Sequence, residues 1–198
     1  MSKVGYNISI QELMARVQIL EIRGDFKDGR IAAVTNDSRK AQPNSVFVCL
    51  RGTERDGHDF IDHAIDQGCR TIVLEDFPKE LFAGITYVRV PDSRVAYAEM
   101  NAALFGDPQS KLSIIFVTGT NGKTTVATLL YQLFNNMGKR AGLISTIDVR
   151  TPNRILGKGL TTPDAAELRM YMAKMVEDGC EYVFMEVSSH ALDQRRTI

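Results

Sequence analysis

Apolar and polar positions alternate along this chain with two different periods, and turn residues separate the runs. In the first hundred residues, short β-rich runs predict strands over residues 31–34, 45–50, 71–74 and 85–90. Apolar residues at helical spacing predict helices over residues 59–67 and 93–105, the first closed by Gly68. Ser9 and Glu12 have the spacing of a capping box, ahead of another helical pattern that continues to Leu20. Strands separated by helices predict parallel βαβ units.

A polar segment at residues 106–111 contains both Gly and Pro and interrupts this pattern. We therefore expect one domain over residues 1–108 and a second over residues 109–198. The second part predicts a strand from residue 112, a glycine-bearing turn, a helix over 123–137 and a strand over 142–147. A loop over residues 148–160 should then lead to a helix over 164–177 and a last strand over 182–187.

The glycine-bearing turn carries the clearest chemistry in the sequence. It reads Gly119-Thr120-Asn121-Gly122-Lys123-Thr124-Thr125 and joins a strand to a helix. Its glycines allow backbone N–H groups to approach phosphates, and the helix N-terminus favours an anion. Lys123 can reach terminal phosphates and the Thr124 hydroxyl can bind Mg²⁺. Val117 occupies the position of the first glycine in the common G-x-x-x-x-G-K-[ST] pattern. The loop predicts binding of ATP or a close relative.

The last predicted strand ends in a carboxylate, Glu186. Ligands of parallel sheets bind beyond the carboxyl ends of the strands, so Glu186 suits a Walker-B-like Mg²⁺ ligand. The alternative is a solvated glutamate at a strand end. The neighbouring Ser188, Ser189 and His190 favour substrate binding or water positioning over a hydrolase, because no G-x-S-x-G elbow is present. Further donors for phosphate or carboxylate groups follow at Gln194, Arg195 and Arg196.

Three other polar turns are weaker candidates, because ordinary capping and turn chemistry explains each of them. They span residues 36–39, 52–57 and 161–164.

The amino-acid composition mainly excludes certain classes of protein and of binding partner. Apolar residues make up 44% of the 198 residues and charged residues 24%, as in soluble globular proteins. Basic and acidic residues number 24 each, so nucleic-acid and membrane-surface partners are not expected. The first nine residues lack the features of a signal peptide, and no apolar run has the length of a membrane span. The three cysteines form no C-x-x-C pair, so we expect buried free thiols in a reducing cytoplasm.

Three segments together resemble the Mur ligases, the ATP-dependent amide-bond-forming enzymes of cell-wall precursor synthesis. They are D-S-R from residue 37 with the following S-V-F-V-C-L-R-G, the G-T-N-G-K-T-T loop, and T-T-P together with M-E-V-S-S-H-A-L. The loop is similar to that of the wider superfamily, which includes folylpolyglutamate synthases. The segments T-T-P and M-E-V-S-S-H-A-L are similar to those of the subfamily that forms the UDP-MurNAc-tripeptide. The resemblance covers about residues 20–196.

The resemblance implies an α/β fold: a small UDP-binding domain, followed by a partial doubly wound P-loop ATPase domain with parallel strands. We expect the chain to be the front part of a longer protein whose C-terminal ligase domain is absent here. A carbamylated lysine and an arginine-containing motif that selects the amino acid should lie beyond Ile198. We therefore expect little turnover from this chain alone.

The resemblance also implies a set of site residues. ATP would be held by Gly119, Thr120, Asn121, Gly122, Lys123, Thr124 and Thr125, and Mg²⁺ by Thr124 and Glu186. Catalytic roles fall to Lys123, Glu186 and His190. Uridine-nucleotide contacts fall to Asn36, Ser38, Thr53, Glu54 and Arg55. Contacts to the muramoyl-dipeptide fall to Thr161, Thr162, Ser188, Gln194 and Arg196.

The implied reaction begins when the D-glutamate carboxylate of UDP-MurNAc-L-Ala-D-Glu attacks the γ-phosphate of ATP. The amine of a diamino acid, meso-diaminopimelate rather than L-lysine, then attacks the acyl phosphate. We expect a cytoplasmic monomer that acts on small molecules. The alternatives are a ligase of the MurF type, a folylpolyglutamate synthase-like ligase, and a nucleotide-binding module without turnover.

Overall fold

The computed structural model describes residues 8–27, 29–52, 55–159 and 163–188, which form two compact units that divide between Leu104 and Phe105. None of the described helices is both long and apolar enough to cross a membrane.

The first unit is a five-stranded sheet with helices. Its elements are α1 (Ile10–Met14), β1 (Glu21–Arg23), β2 (Ala33–Thr35), β3 (Ser45–Val48), α2 (Ile61–Asp66), β4 (Thr71–Leu74), β5 (Thr86–Arg89) and α3 (Ser93–Leu104). The strand order is β1-β5-β4-β3-β2, in which β2 to β5 run parallel and β1 is antiparallel to β5. Phe47, Ile72 and Tyr87 are buried in one cluster with Ile61 and Ala64 of α2, so the apolar strand positions form the core of this unit.

The capping box at the start of α1 is confirmed. The Ser9 N–H donates to Glu12 Oε2 at 2.9 Å, and the Glu12 N–H donates to Ser9 Oγ at 3.2 Å. The predicted continuation of the helix to Leu20 is wrong, because α1 ends at Met14. The Leu20 N–H instead donates to the Arg89 carbonyl at 2.8 Å, and β1 follows directly. Pairing with a distant strand therefore overrides the helical spacing of these apolar residues.

The second unit is also built on five strands. Its elements are β6 (Ser113–Val117), α4 (Lys123–Asn136), β7 (Ala141–Ile144), β8 (Asp148–Arg150), β9 (Ile155–Lys158), α5 (Ala165–Glu177) and β10 (Tyr182–Glu186). The strand order is β6-β10-β7-β8-β9. The last strand, β10, lies between β6 and β7 and is parallel to both.

Side chains that alternate along β10 separate the two faces of this sheet. Val183 and Met185 lie in a buried cluster with Leu168 and Met172 of α5. Phe184 packs on the other face against α4, where its ring centroid lies 4.9 Å from that of Phe134. Helices therefore cover opposite faces of the parallel strands, and the predicted α/β fold with a doubly wound second sheet is confirmed.

The predicted loop over residues 148–160 is wrong, because it contains the antiparallel hairpin β8–β9. Val149 is fully buried in the second unit's core. The side chains of Thr151 and Arg154 both donate to Asp178 Oδ2, at 2.8 and 2.9 Å. These contacts with residues far along the chain stabilise strands that are too short to produce a recognisable sequence pattern.

Candidate functional site

The turn between β6 and α4 depends on glycine at two positions. Gly119 has φ of 141° and Gly122 has φ of 79°, a region that residues with a side chain rarely adopt. Gly122 is the N-cap of α4, and its carbonyl accepts the Val126 N–H at 2.9 Å. Because glycine has no side chain, the N-cap residue cannot bond to the first N–H groups of α4. The loop and helix start thus present backbone donors where an anion would bind.

Lys123 begins α4 and folds back over this loop. Its Nζ donates to the Gly119 carbonyl at 2.7 Å and lies 3.4 Å from the Thr120 carbonyl. The side chain is half-buried, so the positive charge is held at the mouth of the loop. A phosphate group bound there would find this ammonium within a short side-chain movement.

Glu186 lies at the carboxyl end of β10 and is only 1% exposed. Its Oε2 accepts from Thr124 Oγ1 at 2.9 Å. Its Oε1 accepts from the Thr146 N–H at 3.0 Å and from Thr146 Oγ1 at 3.3 Å. The two threonine hydroxyls are 3.1 Å apart. The alternative of a solvated glutamate at a strand end is therefore wrong.

Thr146 is a member of this cluster that the sequence analysis missed. The pattern extended the strand to Ile147, whereas β7 ends at Ile144 and leaves Thr146 in the turn after it. Because β10 lies between β6 and β7, the segments that follow all three strands meet at one edge of the sheet. The sequence does show a hydroxyl residue just after a strand. That position indicates a role in the site only when the strand order is known, because the order decides which segments lie together.

The donors in this cluster are hard oxygen atoms: the hydroxyls of Thr124 and Thr146 and the carboxylate of Glu186. Within the described ranges, no three His, Cys, Asp or Glu side chains are grouped to hold a metal ion. Mg²⁺ typically takes one or two carboxylates and completes its coordination with waters and substrate phosphates. One buried carboxylate and two hydroxyls beside a phosphate loop fit that cation.

In the first unit, Asn36 and Ser38 follow β2 at the carboxyl end of the strand. The Tyr97 hydroxyl donates to Asn36 Oδ1 at 3.4 Å. Ser38 is mostly buried, and its Oγ lies 3.0 Å from Nδ1 of His63, which is on α2. The structure thus brings Asn36 and Ser38 together at one end of the sheet and adds His63 as a partner that the sequence analysis did not assign.

Asp37 lies between these two residues and fixes the turn. Its carboxylate accepts from the Arg39 N–H at 3.1 Å and from both the Nε and Nη2 of Arg39 at 2.9 Å. These hydrogen bonds from the Arg39 side chain lower the pKa of Asp37. The carboxylate is therefore engaged in holding the backbone around Ser38. Farther along the chain, Arg55 is exposed, and its carbonyl accepts the Gly52 N–H at 2.9 Å.

The remaining predicted residues divide into two sets. Asn121 and Thr125 are exposed in the loop and the first turn of α4, and Ser188 is half-buried two residues after Glu186. Nine residues that the sequence analysis named as candidates lie outside the described residues: Thr53, Glu54, Thr161, Thr162, Ser189, His190, Gln194, Arg195 and Arg196.

Two family models match the chain. The Mur ligase middle domain matches residues 117–198, and the catalytic domain of the Mur ligase family matches residues 30–105. The two matches include both groups of residues described above.

Curated proteins give a similar result. The chain is 40% identical over 189 residues to the UDP-N-acetylmuramoyl-L-alanyl-D-glutamate–2,6-diaminopimelate ligase of Phocaeicola vulgatus, a match that covers 96% of this chain and 39% of the relative. It is 42% identical over 187 residues to the protein of the same name from Bacteroides thetaiotaomicron, covering 94% and 39%. The chain thus spans about two fifths of the length of these relatives.

Solved structures share the fold. A structure of a UDP-N-acetylmuramoyl-L-alanyl-D-glutamate–2,6-diaminopimelate ligase superposes with a TM-score of 0.76 at 25% identity, covering 96% of this chain and 38% of the other. A MurF structure from Acinetobacter baumannii has a TM-score of 0.63 at 22% identity, covering 92% and 36%, and shows the fold alone.

Proposed function

Because this chain belongs to the Mur ligase family, we propose that it forms the substrate- and ATP-binding part of a ligase of peptidoglycan precursor synthesis. The names of the relatives give UDP-N-acetylmuramoyl-L-alanyl-D-glutamate and 2,6-diaminopimelate as the substrates of those proteins. By analogy, this ligase would add the meso form of diaminopimelate to UDP-MurNAc-L-Ala-D-Glu. Residues 1–108 would form the UDP-substrate domain and residues 109–198 part of the ATP-binding domain. The observation that supports this proposal most is the cluster of Thr124, Thr146 and Glu186 beside the phosphate loop.

In this proposal the backbone of residues 119–125 binds the phosphates of ATP. Lys123 exchanges its bond to the Gly119 carbonyl for a bond to the terminal phosphates. Thr124 and Glu186 would hold Mg²⁺, and Thr146 keeps the Glu186 carboxylate in place. When bound, the cation would neutralise charge on the phosphate oxygens.

The reaction would proceed in two steps. A carboxylate is a poor electrophile toward an amine, so the D-glutamate carboxylate first attacks the γ-phosphate of ATP and releases ADP. The amine of the diamino acid then attacks the acyl phosphate, and the amide forms as phosphate leaves. The protein contributes positioning and charge neutralisation, here by Lys123.

The first unit would bind the uridine nucleotide through Asn36, Ser38 and residues 53–55. We also propose that the protein acts in the cytoplasm as a monomer on small molecules, without nucleic-acid or membrane partners. The cysteines Cys49, Cys69 and Cys180 are free and buried, which suits a reducing compartment.

Titration of UDP-MurNAc-L-Ala-D-Glu into the folded chain tests the acceptor assignment, with the UDP-MurNAc-tripeptide as the control ligand. Tighter binding of the dipeptide form is expected. Tighter binding of the tripeptide form would contradict the proposal and favour a ligase of the MurF type. The titration is repeated on the chain joined to the remaining sequence of a relative. If the folded chain binds neither form in either experiment, the acceptor assignment is overturned.

Lys123→Ala tests the ATP site independently of the acceptor. We expect a loss of ATP affinity of at least about tenfold, because the ammonium contacts the terminal phosphates in the proposal. The matched control is Lys139→Ala, an exposed lysine just beyond the other end of α4. Equal ATP affinities in the two variants would contradict the assigned role. Phosphate release measured with the unmodified chain separates turnover from binding without turnover.

A further inference from the structure

Strands β7 and β8 form an antiparallel hairpin, and Thr146 lies at its tip. The Ser145 N–H donates to the Asp148 carbonyl at 3.0 Å and closes the hairpin loop. The loop therefore has two central residues, Thr146 and Ile147. We call residues 145–148 the Thr146 turn.

The backbone of the Thr146 turn departs from the conformation that such short loops favour. Hairpin loops of two residues usually have a positive φ at one or both central positions, because that matches the twist of the strands. Among the described residues other than glycine, only Asn44 and Asp107 have a positive φ. Thr146 and Ile147 do not, as expected of β-branched residues. The turn therefore needs stabilising contacts of its own.

The hydroxyl of Ser145 supplies these contacts. Ser145 is 0% exposed, and its Oγ donates to the Asp148 carbonyl at 3.0 Å. The same Oγ accepts from the Ile147 N–H at 3.2 Å and from the Asp148 N–H at 3.3 Å. A serine hydroxyl has one donor and two acceptor positions, so all three are used within the turn. Because this hydroxyl is buried and fully bonded, it can act on a ligand only through the shape of the turn.

Gly159 holds the turn from another side. Its N–H donates to the Ile147 carbonyl at 3.2 Å. A Cβ added at Gly159 would overlap the Ser145 carbonyl oxygen and lie 2.5 Å from the Thr146 carbonyl carbon. Both of these atoms belong to the backbone, so any side chain at this position would displace the turn.

We propose that Ser145 and Gly159 are positioning residues for the cation site. They hold the Thr146 turn so that the Thr146 N–H and hydroxyl bond to Glu186 Oε1, at 3.0 and 3.3 Å. The other carboxylate oxygen, Oε2, is then directed to Thr124 beside the phosphate loop. This inference rests on the proposed function, in which Glu186 binds Mg²⁺. Residues that orient a metal ligand typically change metal affinity by about tenfold or more when they are replaced.

Ser145→Ala tests the proposal, with Ser45→Ala as the matched control. Ser45 is 2% exposed and its hydroxyl also bonds within a turn, donating to the Gln42 carbonyl at 2.7 Å and accepting the Gln42 N–H at 3.0 Å. Both substitutions should lower stability in urea, because each removes a buried hydroxyl from its partners. Calorimetric titration of ATP, with Mg²⁺ and with EDTA, gives the factor by which Mg²⁺ raises ATP affinity.

Only the variant in the Thr146 turn should change that factor. We expect Ser145→Ala to lower it about tenfold, and Ser145→Thr, which keeps the hydroxyl, to restore it to within about threefold of the unmodified chain. Ser45→Ala should leave the factor within about twofold. ATP affinity in EDTA should stay within about threefold in every variant, because the phosphate loop itself is unchanged.

The outcomes separate this proposal from the proposed function. If folded Ser145→Ala keeps the Mg²⁺ factor while Glu186→Gln loses it, the positioning role is overturned and the cation site stands. If Mg²⁺ does not raise the ATP affinity of the unmodified chain, the cation site fails and the positioning role fails with it. An equal loss in Ser45→Ala would trace the effect to general destabilisation and would also overturn the role.

Hydrogen exchange in the unmodified chain, followed by NMR, tests the turn without a substitution. Ile147 is 68% exposed, yet its amide should exchange at least about a hundredfold more slowly than in an unstructured peptide, because Ser145 Oγ accepts it. Exchange at the unstructured rate would overturn the proposal. Gly159→Ala should speed this exchange and lower the Mg²⁺ factor. Its matched control is Gly29→Ala, whose added methyl would meet Asn44 Oδ1 at 4.0 Å, an ordinary contact distance. Equal Mg²⁺ factors in these two variants would exclude the role of Gly159.

Discussion

Glu186→Gln separates the structural role of this side chain from its proposed role as a cation ligand. The amide has nearly the same shape as the carboxylate. Its oxygen can still accept the Thr146 N–H, and its NH₂ group can donate to the Thr124 hydroxyl, which also has lone pairs. The substitution therefore preserves the packing and the hydrogen bonds but removes the negative charge.

The structure sets the expected magnitudes. Glu186 accepts three hydrogen bonds from Thr124 and Thr146, at 2.9, 3.0 and 3.3 Å. Converting bonds to a charged group into neutral ones costs about 1 kcal/mol each. Removing a charge that is 1% exposed recovers several kcal/mol of desolvation. We expect these terms to cancel, so that the free energy of unfolding without metal falls by no more than about 1 kcal/mol.

The effect on the metal-dependent part of ATP binding should be much larger. We expect the factor by which Mg²⁺ raises ATP affinity to fall at least about tenfold, since a hard cation loses its only anionic protein ligand in the proposed site. Calorimetric titration of ATP, with Mg²⁺ and with EDTA, measures that factor, and urea unfolding measures stability. Glu181→Gln, an exposed glutamate just before the other end of β10, is the matched control. An unchanged Mg²⁺ factor in Glu186→Gln would refute the role as a ligand, and a destabilisation above about 3 kcal/mol would indicate a structural role instead.

Two further predictions concern single contacts. Burial alone would raise the pKa of Asp178, but the hydrogen bonds from Arg154 and Thr151 outweigh it and lower the pKa. The contact thus stabilises the fold above the unfolded pKa near 4 and is lost as the pH falls through the folded value. Asp178→Asn should cost about 1 kcal/mol in urea unfolding at pH 7, since Arg154 is half exposed. That cost should shrink as the pH falls below about 4, and a cost that does not change with pH would contradict this. His63→Phe should weaken binding of UDP-MurNAc-L-Ala-D-Glu several-fold by removing the partner of Ser38 Oγ, and His63→Gln should restore much of it. Equal calorimetric affinities in the two His63 variants would exclude that positioning role.

Features set by neighbouring residues could be predicted from the sequence. Gly138 follows α4 with φ of 77°, as expected of a residue that closes a helix. The two glycines of the phosphate loop have the positive φ values that the loop requires. Strand and helix alternation led to the α/β fold, and contiguous motifs led to the resemblance to Mur ligases, which the two family models confirm. The roles assigned to individual site residues stay predictions.

Features set by distant pairing could not be predicted. Leu20 has helical spacing, yet its N–H donates to the carbonyl of Arg89, and the three-residue strand β1 follows. Strand β8 is equally short and is stabilised by the burial of Val149. Local patterns carry little information about strands of this length, because the energy that fixes them comes from residues far along the chain.

The proposed metal site shows the same dependence on distant pairing. Thr124 and Glu186 are 62 positions apart, and they meet because β10 enters the sheet between β6 and β7. If β10 instead added outside β7, Glu186 would lie one strand spacing, about 4.8 Å, farther from the phosphate loop, and Thr124 would be left without the carboxylate. The crossover that inserts β10 therefore creates both the packed centre of the sheet and the oxygen cluster. A substitution that disrupts packing at either core position, Phe184 or Met185, should consequently weaken Mg²⁺-dependent ATP binding, although neither residue lies in the cluster.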